Sequence, residues 1–115
     1  MKVYTLKSCD TCRKATNWLK AEGIAFNNCD VRVDGLDRSM VANIIDKAGW
    51  EKALNRRGTT WRGLSDADKA DTDNIKAVSL IVQHPTLLKR PVFVSGSHVI
   101  VGFDPKAQAA VRALA

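Results

Sequence analysis

The sequence predicts an α/β fold in which a βαβ unit and a ββα unit share one sheet, with a helical insertion between them. Two observations carry this prediction. The beginning and the end of the chain alternate between short apolar strand patterns and amphipathic helix patterns, whereas the middle carries helix patterns only. A chain of 115 residues is close to the commonest domain size, so we expect a single domain over residues 1–115.

The opening segment predicts a strand, a helix and a second strand. Residues 2–6 alternate apolar and polar side chains, as a half-buried strand does. Residues 11–22 place apolar side chains at helical spacing, and Ser8 and Asp10 are candidate caps just before them. Residues 24–33 contain the second strand, so the segment forms a βαβ unit.

The middle of the chain predicts helices joined by loops. Ser39 caps a helix that extends to about Ala48, and residues 50–71 contain short helical pieces without a sustained period. Residues 72–84 again follow the helical period, with Ile75 on the apolar face. This part of the chain is therefore the helical insertion.

The last segment predicts a hairpin and a helix. Residues 91–94 and 98–103 read as two strands, joined by a tight turn at residues 95–97. Asp104 then caps a final helix that has Pro105 at its first position. A βαβ unit and a ββα unit in one sheet form the thioredoxin-like arrangement, which the connection rules for parallel strands permit.

Composition and charge restrict the class of protein. The net charge of +6 predicts a solvated basic surface, and no basic run interleaved with aromatic residues indicates direct nucleic-acid binding. No signal peptide is visible, and no apolar stretch reaches the roughly 20 residues that span a bilayer. Three cysteines are too few for a secreted disulfide scaffold. We therefore expect a cytoplasmic monomer that does not contact membranes.

Two of the three cysteines, Cys9 and Cys12, lie where the first strand meets the first helix. A helix start offers unpaired N–H groups and a positive dipole end, and both favour a thiolate at Cys9. Arg13 and Lys14 follow in the first turn, where cations stabilise a thiolate or a substrate anion. Cys12 lies one helical turn later, placed to attack a mixed disulfide at Cys9. The pattern predicts redox or thiol-transfer chemistry.

A metal site and a pair of inert cysteines are the alternatives for this motif. Structural zinc needs four ligands, but Cys29, His84 and His98 are isolated in the sequence, so we expect no bound metal. Cys29, in or beside the second strand, is predicted to be a small buried hydrophobe. His84 is predicted at a helix end, and His98 at a polar position on an edge strand.

Three segments together resemble the arsenate-reductase-like (ArsC/Spx/YffB) family, and most of all its YffB-like branch. They are SCDTCRKATNWLKAEGI, LNRRGTTWRGLSDADK and HPTLLKRPVFV with the later VIVGFDP. The resemblance is specific because all of them occur in family order over essentially the whole chain. It implies a thioredoxin-like fold with a helical insertion.

The resemblance also implies roles for individual residues. Cys9 corresponds to the family nucleophile, and Arg90 to an arginine that binds the substrate oxyanion in the arsenate reductases. Pro91 corresponds to a proline that follows a cis peptide bond and packs against the active-site cysteine. A further anion-binding arginine comes from the middle segment, where Arg56 and Arg57 are both candidates.

Two features depart from the arsenate reductases. Their third arginine has no counterpart, because the VGFDP stretch offers Phe103 or Asp104 instead. Cys12 has no counterpart in the single-cysteine reductases, which use glutathione or glutaredoxin to resolve the intermediate. A Cys-x-x-Cys pair resembles instead the Spx regulators, which bind RNA polymerase and sense oxidation.

We therefore expect a thiol oxidoreductase that uses glutathione as co-substrate and holds no bound cofactor. Its partners would be glutathione and a small thiol or oxyanion substrate, with glutaredoxin as a further candidate. An arsenate reductase and an Spx-like transcriptional regulator that binds RNA polymerase are the alternative functions.

Overall fold

The computed structural model describes all of residues 1–115 and contains four β-strands and seven α-helices. The chain forms two compact units. The first unit comprises Met1–Asp34 together with Arg90–Ala115, and the second comprises Gly35–Lys89. None of the helices combines the length and the apolar character that a membrane span requires.

The first unit contains the whole sheet. Its strands, in the spatial order β2-β1-β3-β4, are β1 (Lys2–Thr5), β2 (Asn27–Asp30), β3 (Val92–Ser95) and β4 (His98–Val101). β1 runs parallel to β2 and antiparallel to β3, which in turn pairs antiparallel with β4. The parallel pair needs a crossover, which helix α1 (Asp10–Ala21) supplies. The predicted thioredoxin-like arrangement of βαβ and ββα in one sheet is confirmed.

A core cluster of the first unit lies on one face of this sheet. Strand residues from β1 and β3 pack there against α1 and against the last helix, α7 (Pro105–Leu114). The fully buried members of the cluster are Val3, Ala15, Leu19, Phe93 and Val111. As predicted, α7 begins with Asp104 as its cap: Asp104 Oδ1 accepts a hydrogen bond of 2.8 Å from Ala107 N. This packing places the amino end of α1 beside the carboxyl end of β1.

The second unit is helical, as predicted for the middle of the chain. Its helices are α2 (Arg38–Ala48), α3 (Trp50–Ala53), α4 (Thr59–Arg62), α5 (Asp66–Lys69) and α6 (Asn74–Gln83), followed by the 3-10 turn Pro85–Leu87. The two longest, α2 and α6, pack against each other. Each contributes several fully buried aliphatic side chains to that contact.

Two details of the helical unit differ from the sequence predictions. Asp37, rather than Ser39, is the N-cap of α2, because Asp37 Oδ1 accepts a hydrogen bond of 3.0 Å from Ser39 N. Ile75 is 79% exposed and lies outside the apolar face of α6. That helix buries Ala77, Val78, Leu80 and Ile81 instead. Because α6 packs these residues inward, Ile75, near the start of the helix, is left facing solvent.

The second strand also differs in composition from the prediction. β2 lies within the predicted range 24–33, but it begins at Asn27, after the apolar residues Ile24 and Phe26. It is an edge strand with β1 as its single neighbour, so polar side chains are tolerated there. Cys29 is only partly buried at this edge, and the prediction of a buried hydrophobe was wrong. His98 is exposed on the opposite edge strand, as predicted.

Candidate redox site

The loop between β1 and α1 holds Cys9 at the start of the helix. Cys9 N donates to Leu6 O at 2.9 Å, and Arg13 N donates to Cys9 O at 3.1 Å. These bonds make Cys9 the N-cap of α1, whereas Ser8 and Asp10 were the predicted caps. The Cys9 side chain closes no capping hydrogen bond. The sulfur lies next to the N–H groups of the first turn, and those of Cys12 and Thr11 stabilise its thiolate.

The environment of Cys9 favours its thiolate. Partial burial raises the pKa of the Cys9 thiol, but several interactions together outweigh that cost and lower the pKa below its ordinary value. The Cys12 backbone N–H and the Cys12 thiol act most strongly, followed by the charge of Arg90 and the N–H of Thr11. A thiol with a lowered pKa at a helix start is the usual setting of a nucleophilic cysteine.

Cys12 has the opposite environment. Its residue is 2% exposed, and burial raises the pKa of its thiol to about 12. The neighbouring Cys9 contributes to this increase, through a hydrogen bond and through its charge, whereas the Leu6 N–H and Arg90 oppose it. Both cysteines are free thiols in this structure. The pair therefore combines one sulfur that ionises readily with one that keeps its proton.

Arg90 and Pro91 lie at the start of β3, next to the strand that leads to the cysteines. The peptide bond between them is cis, as the family resemblance implied. Pro91 O accepts a hydrogen bond of 2.9 Å from Gly102 N, which ties this turn to the end of β4. The charge of Arg90 lowers the pKa of both thiols. The sheet thus brings Arg90 from the end of the chain to the cysteine pair at its beginning.

The basic residues of α1 have a different arrangement from the one expected. Arg13 pairs with Asp10, and both side chains are exposed on the helix surface, 64% and 77% respectively. Lys14 is exposed as well. The cation among the leading influences on Cys9 is Arg90 rather than either of these two.

Arg56 and Arg57 belong to the helical unit, in the loop after α3. The Arg56 guanidinium lies 5.1 Å from the centre of the Trp50 ring. Arg57 N donates to Asn55 Oδ1 at 3.1 Å, which shapes the loop. Both side chains are exposed. Their part in the chemistry of the cysteines stays a prediction.

A groove of about 440 Å³ runs beside Cys12. Its lining includes Thr5, Cys12, Arg13, Asn28, Asp30 and Val33. The buried Thr5 hydroxyl donates to Asn28 Oδ1 at 2.7 Å, and Asp30 Oδ2 accepts a hydrogen bond of 2.9 Å from Lys7 N. Sequence reasoning missed these polar groups because they come from two strands. The available signal was a threonine at the end of an apolar strand.

Comparisons with known proteins agree with this geometry. A model of the ArsC family matches residues 4–111. An uncharacterized protein of Haemophilus influenzae is 38% identical over 104 residues, covering 90% of this chain and 91% of that protein. Regulatory protein MgsR of Bacillus subtilis is 30% identical over 104 residues, covering 89% and 82%. The solved structure of a YffB protein superposes with a TM-score of 0.91 at 42% identity, covering 99% and 98%.

Proposed function

Because the chain belongs to the ArsC family, we propose that it is a small thiol oxidoreductase linked to glutathione, with Cys9 as nucleophile and Cys12 as resolving thiol. The observation that carries the proposal is the contrast between the two sulfurs. Cys9 is accessible and has a lowered pKa, whereas Cys12 is buried and has a raised one. Such a pair suits a reaction in which one thiolate attacks the substrate first and the other thiol stays protonated until the mixed disulfide has formed.

In the first step the Cys9 thiolate attacks the disulfide between a substrate thiol and glutathione. The substrate disulfide breaks, a new disulfide forms at Cys9, and the departing thiolate takes up a proton from water. The negative charge of Cys9 is thereby removed. The two contributions by which Cys9 raises the Cys12 pKa then disappear, while Arg90 still lowers it. The resolving thiol therefore becomes more acidic once it is needed.

In the second step Cys12 loses its proton and attacks the Cys9 sulfur. A Cys9–Cys12 disulfide forms, and the second half of the substrate leaves as a thiol, so the substrate has gained two electrons and two protons. Two molecules of glutathione then reduce the protein disulfide and leave as oxidised glutathione. Burial protects Cys12 from external disulfides, so its accessible partner is Cys9.

Anion binding in this scheme rests on the arginines. We assign Arg90 to an anionic group of the substrate, such as a glutathione carboxylate, and the family resemblance adds Arg56 or Arg57. The stretch that would supply a third arginine has other roles here. Phe103 packs edge-on against Trp18 at 5.5 Å between ring centres, and the Asp104 carboxylate caps α7. This favours glutathione disulfides over arsenate as substrates.

A turnover assay tests the proposal directly. The purified protein is given the mixed disulfide of glutathione and 2-mercaptoethanol, or arsenate, with glutathione, glutathione reductase and NADPH. We expect turnover of the mixed disulfide, loss of that turnover to background in Cys9→Ser, and much weaker turnover of arsenate. Activity in Cys9→Ser equal to the parent protein, or no turnover of either substrate, would contradict the proposal.

The similarity to a regulatory protein supports a second candidate function. In that case the Cys9–Cys12 pair is an oxidation switch that changes affinity for RNA polymerase, as the resemblance to Spx implies. Binding of RNA polymerase to the reduced and oxidised protein separates the two candidates. A large difference in affinity without turnover favours the regulator.

A further inference from the structure

The backbone of Leu6, at the end of β1, contacts both cysteines of the site. Its carbonyl, Leu6 O, accepts a hydrogen bond of 2.9 Å from Cys9 N. Its N–H is directed at the sulfur of Cys12. Burial raises the pKa of the Cys12 thiol, and the Leu6 N–H is the strongest of the influences that lower it. The position of the Leu6 backbone therefore determines where a hydrogen-bond donor stands when Cys12 becomes a thiolate.

Asp30, at the end of β2, holds this segment from the other side. Lys7 N donates a hydrogen bond of 2.9 Å to Asp30 Oδ2. Leu6 O and Lys7 N belong to the same planar peptide unit, which turns as one rigid plate. The carboxylate of Asp30 is thus connected through that plate to the backbone of Cys9, and it fixes the direction from which Leu6 meets the two cysteines.

The Asp30 side chain is itself held firmly. Asp30 Oδ1 accepts hydrogen bonds from Arg32 N at 2.8 Å and from Val33 N at 3.0 Å, and Asp30 N donates to Asp34 Oδ2 at 2.9 Å. Burial raises the pKa of the Asp30 carboxyl, but the N–H groups of Val33, Arg32 and Lys7 outweigh it and lower that pKa below its ordinary value. The carboxylate is therefore a fixed, charged support for the Lys7 N–H.

The Leu6 backbone acts on the second step of the reaction more than on the first. The Cys9 thiolate attacks first, and its main stabilising contacts come from the N–H and the thiol of Cys12 and from Arg90. Cys12 ionises only in the second step, and the Leu6 N–H is the strongest of the contacts that favour its charge. A shift of this segment therefore slows the second step while the first attack proceeds as before.

We propose that Asp30 is a positioning residue for the resolving thiol, because its carboxylate holds the Leu6–Lys7 peptide against the cysteine pair. The proposal rests on the proposed function, in which Cys12 resolves the intermediate at Cys9. In that step the Cys12 thiol gives its proton to water and its sulfur bonds to the Cys9 sulfur. The bond from Cys9 to the substrate sulfur breaks, and the substrate leaves as a thiolate with the electron pair.

The charge of Asp30 has the opposite effect from its hydrogen bond, which makes the proposal testable. A nearby negative charge disfavours a thiolate, so loss of the charge alone would speed resolution. Loss of the hold on Lys7 N should slow it. Asp34 lies in the same loop and bonds the backbone rather than the side chain of Asp30. Asp34→Ala therefore removes the same charge from this loop and is the matched control.

Reaction with dithiobis(nitrobenzoate), an aromatic disulfide, separates the two steps without any need for turnover. Cys29→Ser is the background, so that Cys9 and Cys12 are the remaining thiols. Attack by Cys9 releases one coloured thionitrobenzoate, and attack by Cys12 on the resulting mixed disulfide releases a second one, at a rate independent of reagent concentration.

We expect Asp30→Ala to leave the first phase unchanged and to slow the second about tenfold, as loss of one hydrogen bond to a charged group does. Asp30→Asn keeps an acceptor oxygen and should retain more of the second-phase rate. Asp34→Ala should not slow either phase. Circular dichroism shows whether each variant is folded.

Three results would overturn the proposal: an unchanged second phase in Asp30→Ala, equal slowing of both phases, or equal slowing of the second phase in Asp34→Ala. Failure of the proposed function gives a different record. No second phase in the parent protein would overturn the resolving role of Cys12, and this proposal with it. Two phases that Asp30→Ala leaves intact would overturn this proposal alone.

Discussion

Cys9 and Cys12 are neighbours on one helical turn, yet their surroundings drive their ionisation in opposite directions. The difference comes from how deeply each side chain is buried. Cys9 sits at the helix start with part of its surface exposed, whereas Cys12 faces the protein interior. One positive side chain, Arg90, lowers the pKa of both sulfurs.

We expect Arg90→Gln to raise the pKa of Cys9, because it removes a charge that stabilises the thiolate. Cys9 is an acid with a lowered pKa, so its thiolate is present above that pKa and is lost as pH falls through it. The acidic limb of kcat/KM should therefore move to higher pH. Arg90→Lys keeps the charge and should move it less. Thiolate absorbance in a Cys12→Ser background measures the midpoint, and an unchanged midpoint in Arg90→Gln would refute the assignment.

Mild oxidation should join Cys9 and Cys12 in one disulfide. The parent protein, treated with oxidised glutathione, should lose two hydrogens in the peptide that contains both residues. In Cys12→Ser, glutathione should remain attached to Cys9, because the resolving thiol is gone. Mass spectrometry of the digested proteins distinguishes these products. Stable glutathione on Cys9 of the parent protein would mean that an external thiol completes the cycle.

The cysteine pair was predictable from spacing and position alone, because both its members lie in one local motif. The place of Arg90 was not, since it depends on β3 pairing with β1 and came only from the family resemblance. Thr5 and Asn28 share a hydrogen bond for the same reason, as partners on adjacent strands. Contacts between distant segments leave no periodic signal in the sequence.

Helix α1 differs from the other long helices in how it begins. α2, α6 and α7 are capped by the carboxylates of Asp37, Asp73 and Asp104, each of which accepts a backbone hydrogen bond. At the same position α1 has Cys9, whose side chain makes no such bond. The helix that carries the reactive sulfur therefore begins without the carboxylate cap that the others have.

Cys9→Ser should consequently be more stable than Cys9→Ala, although both variants abolish turnover. A serine hydroxyl is a good N-cap, and we expect a gain of about 0.5–1 kcal/mol over Cys9→Ala in the free energy of unfolding. Urea denaturation at acidic pH measures this, because Cys9 is then a neutral thiol in the parent protein as well. Equal stability of the serine and alanine variants would show that α1 gains nothing from a cap.

The types and order of the elements followed from sequence patterns, whereas several boundaries and faces did not. β2 begins at Asn27 because the pairing with β1 begins there. The apolar residues Ile24 and Phe26 lie before the strand. Ile75 fits the helical period of α6 but is exposed, because the contact with α2 determines which side is buried. Local propensity predicts neither where β2 begins nor which face of α6 is buried.

The ion pairs of the molecule are unevenly distributed between its two units. Its two ion pairs lie in the sheet-containing unit, where Arg112 Nε donates to Glu22 Oε1 at 2.9 Å. The helical unit has clustered cations without such partners.

Stability of the sheet-containing unit should depend on the core cluster around Phe93. Phe93 is fully buried there, so Phe93→Ala should lower the free energy of unfolding by about 3–5 kcal/mol. Ile75→Ala, at a position that is 79% exposed, should change it by no more than about 0.5 kcal/mol. Urea denaturation followed by circular dichroism gives both values. Similar losses in the two variants would contradict the assignment of the core.

The first unit is built from the two ends of the chain, with Gly35–Lys89 between them. During synthesis Cys9 and Cys12 emerge early, while Arg90 and the strand that carries it are made only in the last part of translation. Until β3 joins β1, Cys9 lacks the cation that lowers its pKa. The nascent chain thus lacks the contribution of Arg90 to the Cys9 thiolate, and gains it only when the chain is nearly complete.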